Sequence, residues 1–262
     1  MYTLEQRLEL AKSIAIKAGS IAQQHRDEGL NISSKSQQDF VTQADYAVEQ
    51  FIQSELKKMC VEDGFLGEES GLEITSGGMW IVDPIDGTSN YIKGMDYWCI
   101  SMAFVVDHQV QVAVIYAPDR NELFWASAAG GSYLNGAVQK LKPVPVDKAI
   151  VGLGLSSRRP LEGYLTVIQR LVNDGFEYRR FGAGALMLAH VASGQLDAYF
   201  EAHLNSWDGA AGLLLVSEAG GKCCDFLLGQ GQYLGNPMLV ANTQLYEQIS
   251  TSIGFTLLPK AS

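Results

Sequence analysis

Asp83 and Asp86 flank Pro84-Ile85, between the apolar run Met79-Trp80-Ile81-Val82 and the segment Gly87-Thr88-Ser89-Asn90. The apolar run suits a buried strand, Pro84 withdraws a backbone donor and is expected to stop it, and the residues that follow favour turns and helix caps. Between Met59 and Ile92 there is no Lys or Arg, yet Glu62, Asp63, Glu68, Glu69, Glu73, Asp83 and Asp86 all fall there. Two bare carboxylates about 4 Å apart repel by roughly 4 kcal/mol at an effective dielectric near 20. Gathering several therefore calls for protonation, distant cations or a bound metal, and a hard divalent cation with oxygen ligands fits best. The N–H groups of Gly87, Thr88 and Ser89, at the start of a helix, would cradle an anion such as phosphate. An isolated Asp-x-x-Asp would be read as a solvated acidic loop. Here the number of acids without a local base weighs against that.

The elements that must carry these residues can be read outward from them. Leu4, Leu8, Ala11, Ala15, Ala18 and Ala22 recur at helical spacing, so residues 4 to about 25 form an amphipathic helix packed on something larger. The polar segment Gly29 to Asp39, whose one cation is Lys35, reads as a surface loop. Thr42 with Asp45 opens a second helical pattern through Ala44, Ala47, Val48, Phe51, Ile52 and Leu56. Thr42 is its cap, and Asp45 alone is an ordinary first-turn acid. Phe65-Leu66-Gly67 is a short strand that delivers Glu68 and Glu69, of which strand alternation allows one to face Asp83 directly. Alternation from Trp98 to Val106 and from Val110 to Tyr116, reversed at Asp107-His108, predicts a hairpin, and Asn135-Gly136 predicts another tight turn.

Pro143-Val144-Pro145 marks a junction, so residues 1–145 are expected to carry two helices, an antiparallel meander and the acidic motifs. Residues 146–262 alternate strand and helix: 149–153, 161–172, 176–181, 185–192, 198–200, 207–219 and 237–241. That is an α/β layer, packed with the first half as one compact unit. Asp208, in the first turn of the helix from Trp207, is a cap or a ligand delivered from the second half. Neither glycine motif (Gly152-Leu153-Gly154, Gly182-Ala183-Gly184) completes a dinucleotide fingerprint.

A chain of 262 residues, 47% hydrophobic and 18% charged, can bury a substantial core. Its net charge of −10 argues against a phosphate-backbone binder and makes nucleic acid an unlikely partner. Cys60, Cys99, Cys223 and Cys224 lack metal-finger spacing and read as reduced thiols. No stretch reaches the length of a membrane span and the first residues have no leader pattern, so a soluble, cytoplasmic protein is expected.

Taken in order, Val41-Thr42-Gln43-Ala44-Asp45, Gly67-Glu68-Glu69, Asp83-Pro84-Ile85-Asp86-Gly87-Thr88, Asp197-Ala198-Tyr199-Phe200-Glu201 and Trp207-Asp208 resemble the inositol monophosphatase family over nearly the whole chain. The resemblance implies a layered αβαβα sandwich of mixed α+β and α/β character. It also implies a homodimer, Mg²⁺-dependent hydrolysis of phosphate monoesters such as inositol 1-phosphate, and inhibition by Li⁺. It assigns one metal to Glu68, Asp83 and the carbonyl of Ile85, and a second to Asp83, Asp86 and Asp208, with a weaker third reached through water near Glu68. Thr88, hydrogen-bonded to Asp45, would orient the attacking water, with Glu69 behind the metal ligands. Glu68, Ile85, Asp86, Gly87, Thr88, Ser89 and Asp208 would contact the substrate. Glu201, Gly182, Ala183, Gly184 and Arg179 would face the alcohol part, although Ala183-Gly184 stands where relatives often carry a hydroxyl residue followed by Ala. Fructose 1,6-bisphosphate and nucleotide phosphates are substrates of relatives with the same metal core. A regulatory or scaffold protein on the same fold is the reading from another class.

Overall fold

The computed structural model describes residues 2–30, 32–36 and 39–255. Helix α1 (Leu4–Glu28) opens with a capping box between Thr3 and Gln6 and buries Leu8, Ala11, Ile14, Ala15, Ala18 and Ala22 along one side. The polar segment read as a loop contains a hairpin, β1 (Ile32–Ser36) with β2 (Asp39–Thr42). Lys35 lies on it, and its side chain is outside the described residues. Such a hairpin carries few apolar residues, so the periodicity that reveals a half-buried strand is weak there. Helix α2 (Gln43–Met59) follows, and its capping box joins Thr42 and Asp45.

Strands β3 (Gly64–Gly67), β4 (Gly71–Glu73) and β5 (Met79–Asp86) lead to the short helix α3 (Thr88–Ile92), and then come β6 (Cys99–Val106), β7 (Gln109–Ala117), β8 (Glu122–Ser127), β9 (Gly131–Leu134) and β10 (Ala137–Gln139). These form an eight-stranded sheet in the order β10-β9-β8-β7-β6-β5-β3-β4. The hairpin and the meander expected between residues 98 and 139 are present, with Asp107, His108, Asn135 and Gly136 at positive φ in their turns. Pro84 does not end β5. The strand continues to Asp86 because the register of β5 on β6 shifts between Asp83 and Asp86 and the pairing of β5 with β3 ends at Val82. A proline at such an irregularity removes no ladder donor.

The chain then forms β11 (Ile150–Leu153), α4 (Leu161–Asn173), β12 (Glu177–Arg179), α5 (Gly184–Ala192), β13 (Ala198–Leu204), α6 (Ser206–Glu218), β14 (Lys222–Cys223), α7 (Gly231–Leu234), β15 (Asn236–Ala241) and α8 (Tyr246–Ile253). Five of these are strands, in the order β12-β11-β13-β15-β14, with β11 parallel to both neighbours and β15 antiparallel to both of its own.

Alternation within single strands shows how the layers stack. Trp80 and Val82 of β5 pack with α1 and α2, whereas Met79 and Ile81 face α5 and α6. Tyr199 of β13 joins that same central core, and Ala198 and Phe200 face α4 and α8 on the other side. The result is an αβαβα sandwich in which α5 and α6 lie between two sheets. Both helices are apolar nearly all round, as burial between two layers demands. Among the described residues no helix is long and apolar enough to cross a membrane.

Candidate active site

Asp83 follows Ile81 onto the face of β5 turned toward α5 and α6, and Asp208 leaves the first turn of α6. Ser101, paired with Asp83 across β5 and β6, donates through its hydroxyl to the Trp207 carbonyl at 3.1 Å, which pins the start of α6 beside Asp83. Oxygens of Asp83, Asp86 and Asp208 consequently lie within 4.8 Å of one another. Burial pushes all three carboxyls up, Asp86 to about 6 and Asp208 to about 7. Asp83 rises further under the charges of Glu68, Asp208 and Asp86. No Lys or Arg side chain bonds to any of the three among the described residues. Such a set of oxygen ligands suits a hard divalent cation, whose charge offsets the repulsion among the carboxylates.

Asp86 is held differently from its neighbours. Its oxygens accept from the N–H groups of Gly184 at 3.0 Å, Ala185 at 2.8 Å and Leu186 at 3.2 Å, so it caps α5 from another sheet's strand. These bonds, with a weak one from the Cys99 thiol at 3.5 Å, oppose the upward push of burial. The local sequence gives no sign of this role, because the helix that Asp86 caps begins about a hundred residues later.

Glu68 and Glu69 sit in the turn between β3 and β4 rather than in the strand, so strand alternation does not govern them. The two acids act on different neighbours: the charge of Glu68 raises Asp83, and that of Glu69 raises Asp45. The turn is held by Glu49, which was not singled out from the sequence. Buried on α2, it accepts from the N–H groups of Glu69 at 2.9 Å and Ser70 at 2.7 Å. Its one available signal was an acid four residues after Asp45 among buried apolar positions.

Asp45 caps its helix and also reaches Thr88. One oxygen takes the Thr42 N–H at 2.8 Å and hydroxyl at 2.7 Å as a helix cap, and the other lies 3.5 Å from the Thr88 hydroxyl. The nearer acceptor for Thr88 is the Ile85 carbonyl at 3.0 Å, and the Ile85 N–H donates to Asp83 at 2.9 Å. Burial raises the Asp45 carboxyl to about 6 against the lowering bonds from Thr42. Gly87, before α3, has φ +87°, and a Cβ there would stand 2.9 Å from that of Ala183, so both conformation and space require glycine. Asn90 ties α3 to the second half by donating to the carbonyls of Tyr97 at 2.7 Å and Phe181 at 2.8 Å. Ser89 lies in the same short helix, whose first N–H groups have no intrahelical acceptor.

A pocket of about 160 Å³ opens beside Asp208, lined by Gly154, Arg180, Gly182, Ala183, Gly184, Tyr199 and Glu201 among others. Burial pushes Glu201 up to about 7, with Asp86 adding to the rise. The arginine at this wall is Arg180, whereas Arg179 was expected. On β12 Arg179 shares a face with Glu177, to which it donates at 2.8 Å, and Arg180, just past the strand, turns to the pocket. A larger cavity of about 760 Å³ beside Cys223, Cys224 and Phe226 has no carboxylate cluster among the described residues, whereas Asp208 of the cluster lines the smaller one.

A sandwich of this layering, with a carboxylate cluster that could hold a divalent cation, has the sugar-phosphatase type of fold. The chain belongs to the inositol monophosphatase family, whose model matches residues 3–255. It is 40% identical over 217 residues to the Nus factor SuhB of Xylella fastidiosa, spanning 81% of this chain and 79% of that protein. The crystal structure of the extragenic suppressor protein suhB from Bartonella henselae superposes with a TM-score of 0.87 at 31% identity, covering 95% of this chain and 98% of that one. An inositol monophosphatase from Anabaena gives 0.84 at 28% identity over 98% of both chains.

Proposed function

We propose that the chain hydrolyses small phosphate monoesters with Mg²⁺, inositol 1-phosphate foremost among them. The observation that carries this reading is the meeting of Asp83, Asp86 and Asp208 beside the free first-turn N–H groups of α3. Glu68, Asp83 and the Ile85 carbonyl would hold one Mg²⁺ and Asp83, Asp86 and Asp208 a second, with a weaker third near Glu68. Bound there, Mg²⁺ supplies charge neutralisation and a lowered pKa for water. The chain's own residues do the rest. The N–H groups of Gly87, Thr88 and Ser89 receive the phosphoryl oxygens. The Thr88 hydroxyl orients the attacking water and passes its proton toward Asp45, whose carboxyl near 6 can accept it. Glu69 keeps Asp45 basic by its charge, and Glu201 with the Gly182–Gly184 backbone receives the alcohol part. Li⁺ inhibition and a homodimer accompany this reading.

The curated relative's name, Nus factor, favours a second reading in which the chain also acts as a factor in an assembly, so net charge alone does not exclude nucleic acid from that assembly. Both readings meet one experiment: phosphate release from inositol 1-phosphate, fructose 1,6-bisphosphate and a 3′-phosphonucleotide, with Mg²⁺ and with chelator. Metal-dependent release from inositol 1-phosphate in excess of the others supports the first reading. No release from any ester sinks it and leaves the second.

A further inference from the structure

In the wall of the pocket beside Asp208, two side chains of β13 form a buried pair. The Tyr199 hydroxyl donates to Glu201 Oε2 at 2.5 Å, and both residues are closed off from bulk water, at 1% and 8% exposure. They are two residues apart on one strand and so share a face, the one turned to α5 and α6. Oε1 of Glu201 has no hydrogen bond from the protein among the described residues and is not sealed from the pocket that Glu201 lines.

Two glycines clear the space this pair fills. A Cβ on Gly154 would stand 2.0 Å from Glu201 Oε2 and 2.4 Å from the Tyr199 oxygen. A Cβ on Gly184 would meet the Tyr199 oxygen at 3.2 Å and Leu204 at 3.1 Å. A side chain at either position would narrow the pocket wall where the tyrosine stands. Gly154 has ordinary negative φ and Gly184 begins a helix, so neither is glycine for conformational reasons.

We propose that Tyr199 is a positioning residue for specificity: it ties up one oxygen of Glu201 so that the other is presented, in a fixed direction, to a hydroxyl on the substrate's alcohol part. The preferred ester is therefore one whose alcohol bears a free hydroxyl within reach of Oε1. An alcohol without one leaves that buried oxygen unpaired, at the cost that discriminates strongly against analogues lacking a hydrogen-bonding group. This inference rests on the phosphatase reading above. Tyr199 serving only as core filling is the competing account, since a buried phenol also needs an acceptor.

The two accounts separate in a comparison of inositol 1-phosphate with phenyl phosphate, which lacks any hydroxyl on its alcohol part, at saturating Mg²⁺. Tyr199→Phe is expected to lower kcat/KM for inositol 1-phosphate about tenfold more than for phenyl phosphate, with the difference in KM, a loss of one hydrogen bond's worth of orientation. Gly154→Ala, which displaces Glu201, should move selectivity the same way. In Glu201→Gln the further change to Phe at position 199 should add little, because the pair acts as one unit. Equal losses on both esters, a loss confined to kcat, or full additivity with Glu201→Gln overturns the inference while the phosphatase reading stands. A wild type that hydrolyses phenyl phosphate but not inositol 1-phosphate overturns the inference together with the preference for inositol 1-phosphate, leaving hydrolysis of phosphate monoesters. A wild type that hydrolyses neither overturns both.

Discussion

In metal-free buffer at pH 8, Asp208→Asn should stabilise the protein and Asp86→Asn should not, although both remove one charge from the same cluster. The Asp208 carboxyl is raised from 3.8 to about 7, which at 1.36 kcal/mol per unit corresponds to about 4 kcal/mol of unfavourable ionisation in the folded state. Asp83 and Asp86 relax their own protonation in response, so about half of that, about 2 kcal/mol, is the expected gain. In a chain of this size that is about 4–8 °C in Tm. A carboxamide at position 208 can also donate to Asp83. The same substitution at Asp86 relieves comparable repulsion but weakens three N–H contacts at the start of α5. A carboxamide accepts on one oxygen only and turns an N–H₂ toward a remaining donor. Charge-assisted bonds of this kind contribute about 1.5–3 kcal/mol each, with up to about 1 kcal/mol more from the helix dipole, so the relief is cancelled or exceeded. Differential scanning calorimetry in chelator and in 5 mM-scale excess Mg²⁺ is the assay, the metal concentration being on the order of that used for weak divalent sites. Both variants should lose most of the Mg²⁺-induced rise in Tm. Equal stabilisation by both variants would refute the capping role of Asp86, and an undiminished Mg²⁺ response in both would refute their assignment as ligands.

Metal-free stability should fall as pH rises from 5 to 8. Asp45 and Asp86 near 6 and Asp208 and Glu201 near 7 are all raised above their unfolded values, so the folded state binds more protons, and their contribution is lost as pH climbs through those values. Asp119, lowered to about 2 by Arg26, Gln23 and Trp98 against its burial, works in the opposite sense only below about pH 4, outside that window. A Tm in chelator that is flat or rising from pH 5 to 8 contradicts the burial of these groups. Gly87→Ala should cost about 1–3 kcal/mol from its positive φ and its contact with Ala183, read as a lowered urea midpoint; an unchanged midpoint would mean that the turn has room. Glu49→Ala removes the carboxylate that accepts from the N–H groups of Glu69 and Ser70, so Mg²⁺ should bind more weakly by isothermal titration, and an unaltered affinity would remove Glu49 from the support of Glu68.

Much of this architecture is legible locally because its signals are periodic. The alanine spacing of α1, the Thr42–Asp45 box, the Asn135-Gly136 turn and the alternation in β6 and β7 each follow from contacts within a few residues. Where the reading went astray, a distant partner decided. Pro84 looked like a stop because its missing N–H was weighed without the irregular pairing on β6 that makes it harmless. The β1–β2 hairpin carried too few apolar residues to show. Arg179 followed from the family resemblance alone, and sequence order does not say on which side of a short strand's end a side chain emerges, which here puts Arg180 at the pocket.

The sequence by itself determined the chemistry available: an ordered set of carboxylates without local bases, a strand running into a glycine turn, and a late aspartate at the start of a helix. Residue type fixes what a side chain can ligate or donate, and nearby residues fix strand, turn and cap. Only the tertiary structure decided which of these groups meet. Packing α5 and α6 between two sheets brings Asp208 to Asp83, sets the N-terminus of α5 on Asp86, and stands Tyr199 behind Glu201 in space that Gly154 and Gly184 leave open. Those encounters join residues far apart in the chain, and burial between layers sets both their distances and their pKa values, so no local pattern encodes them.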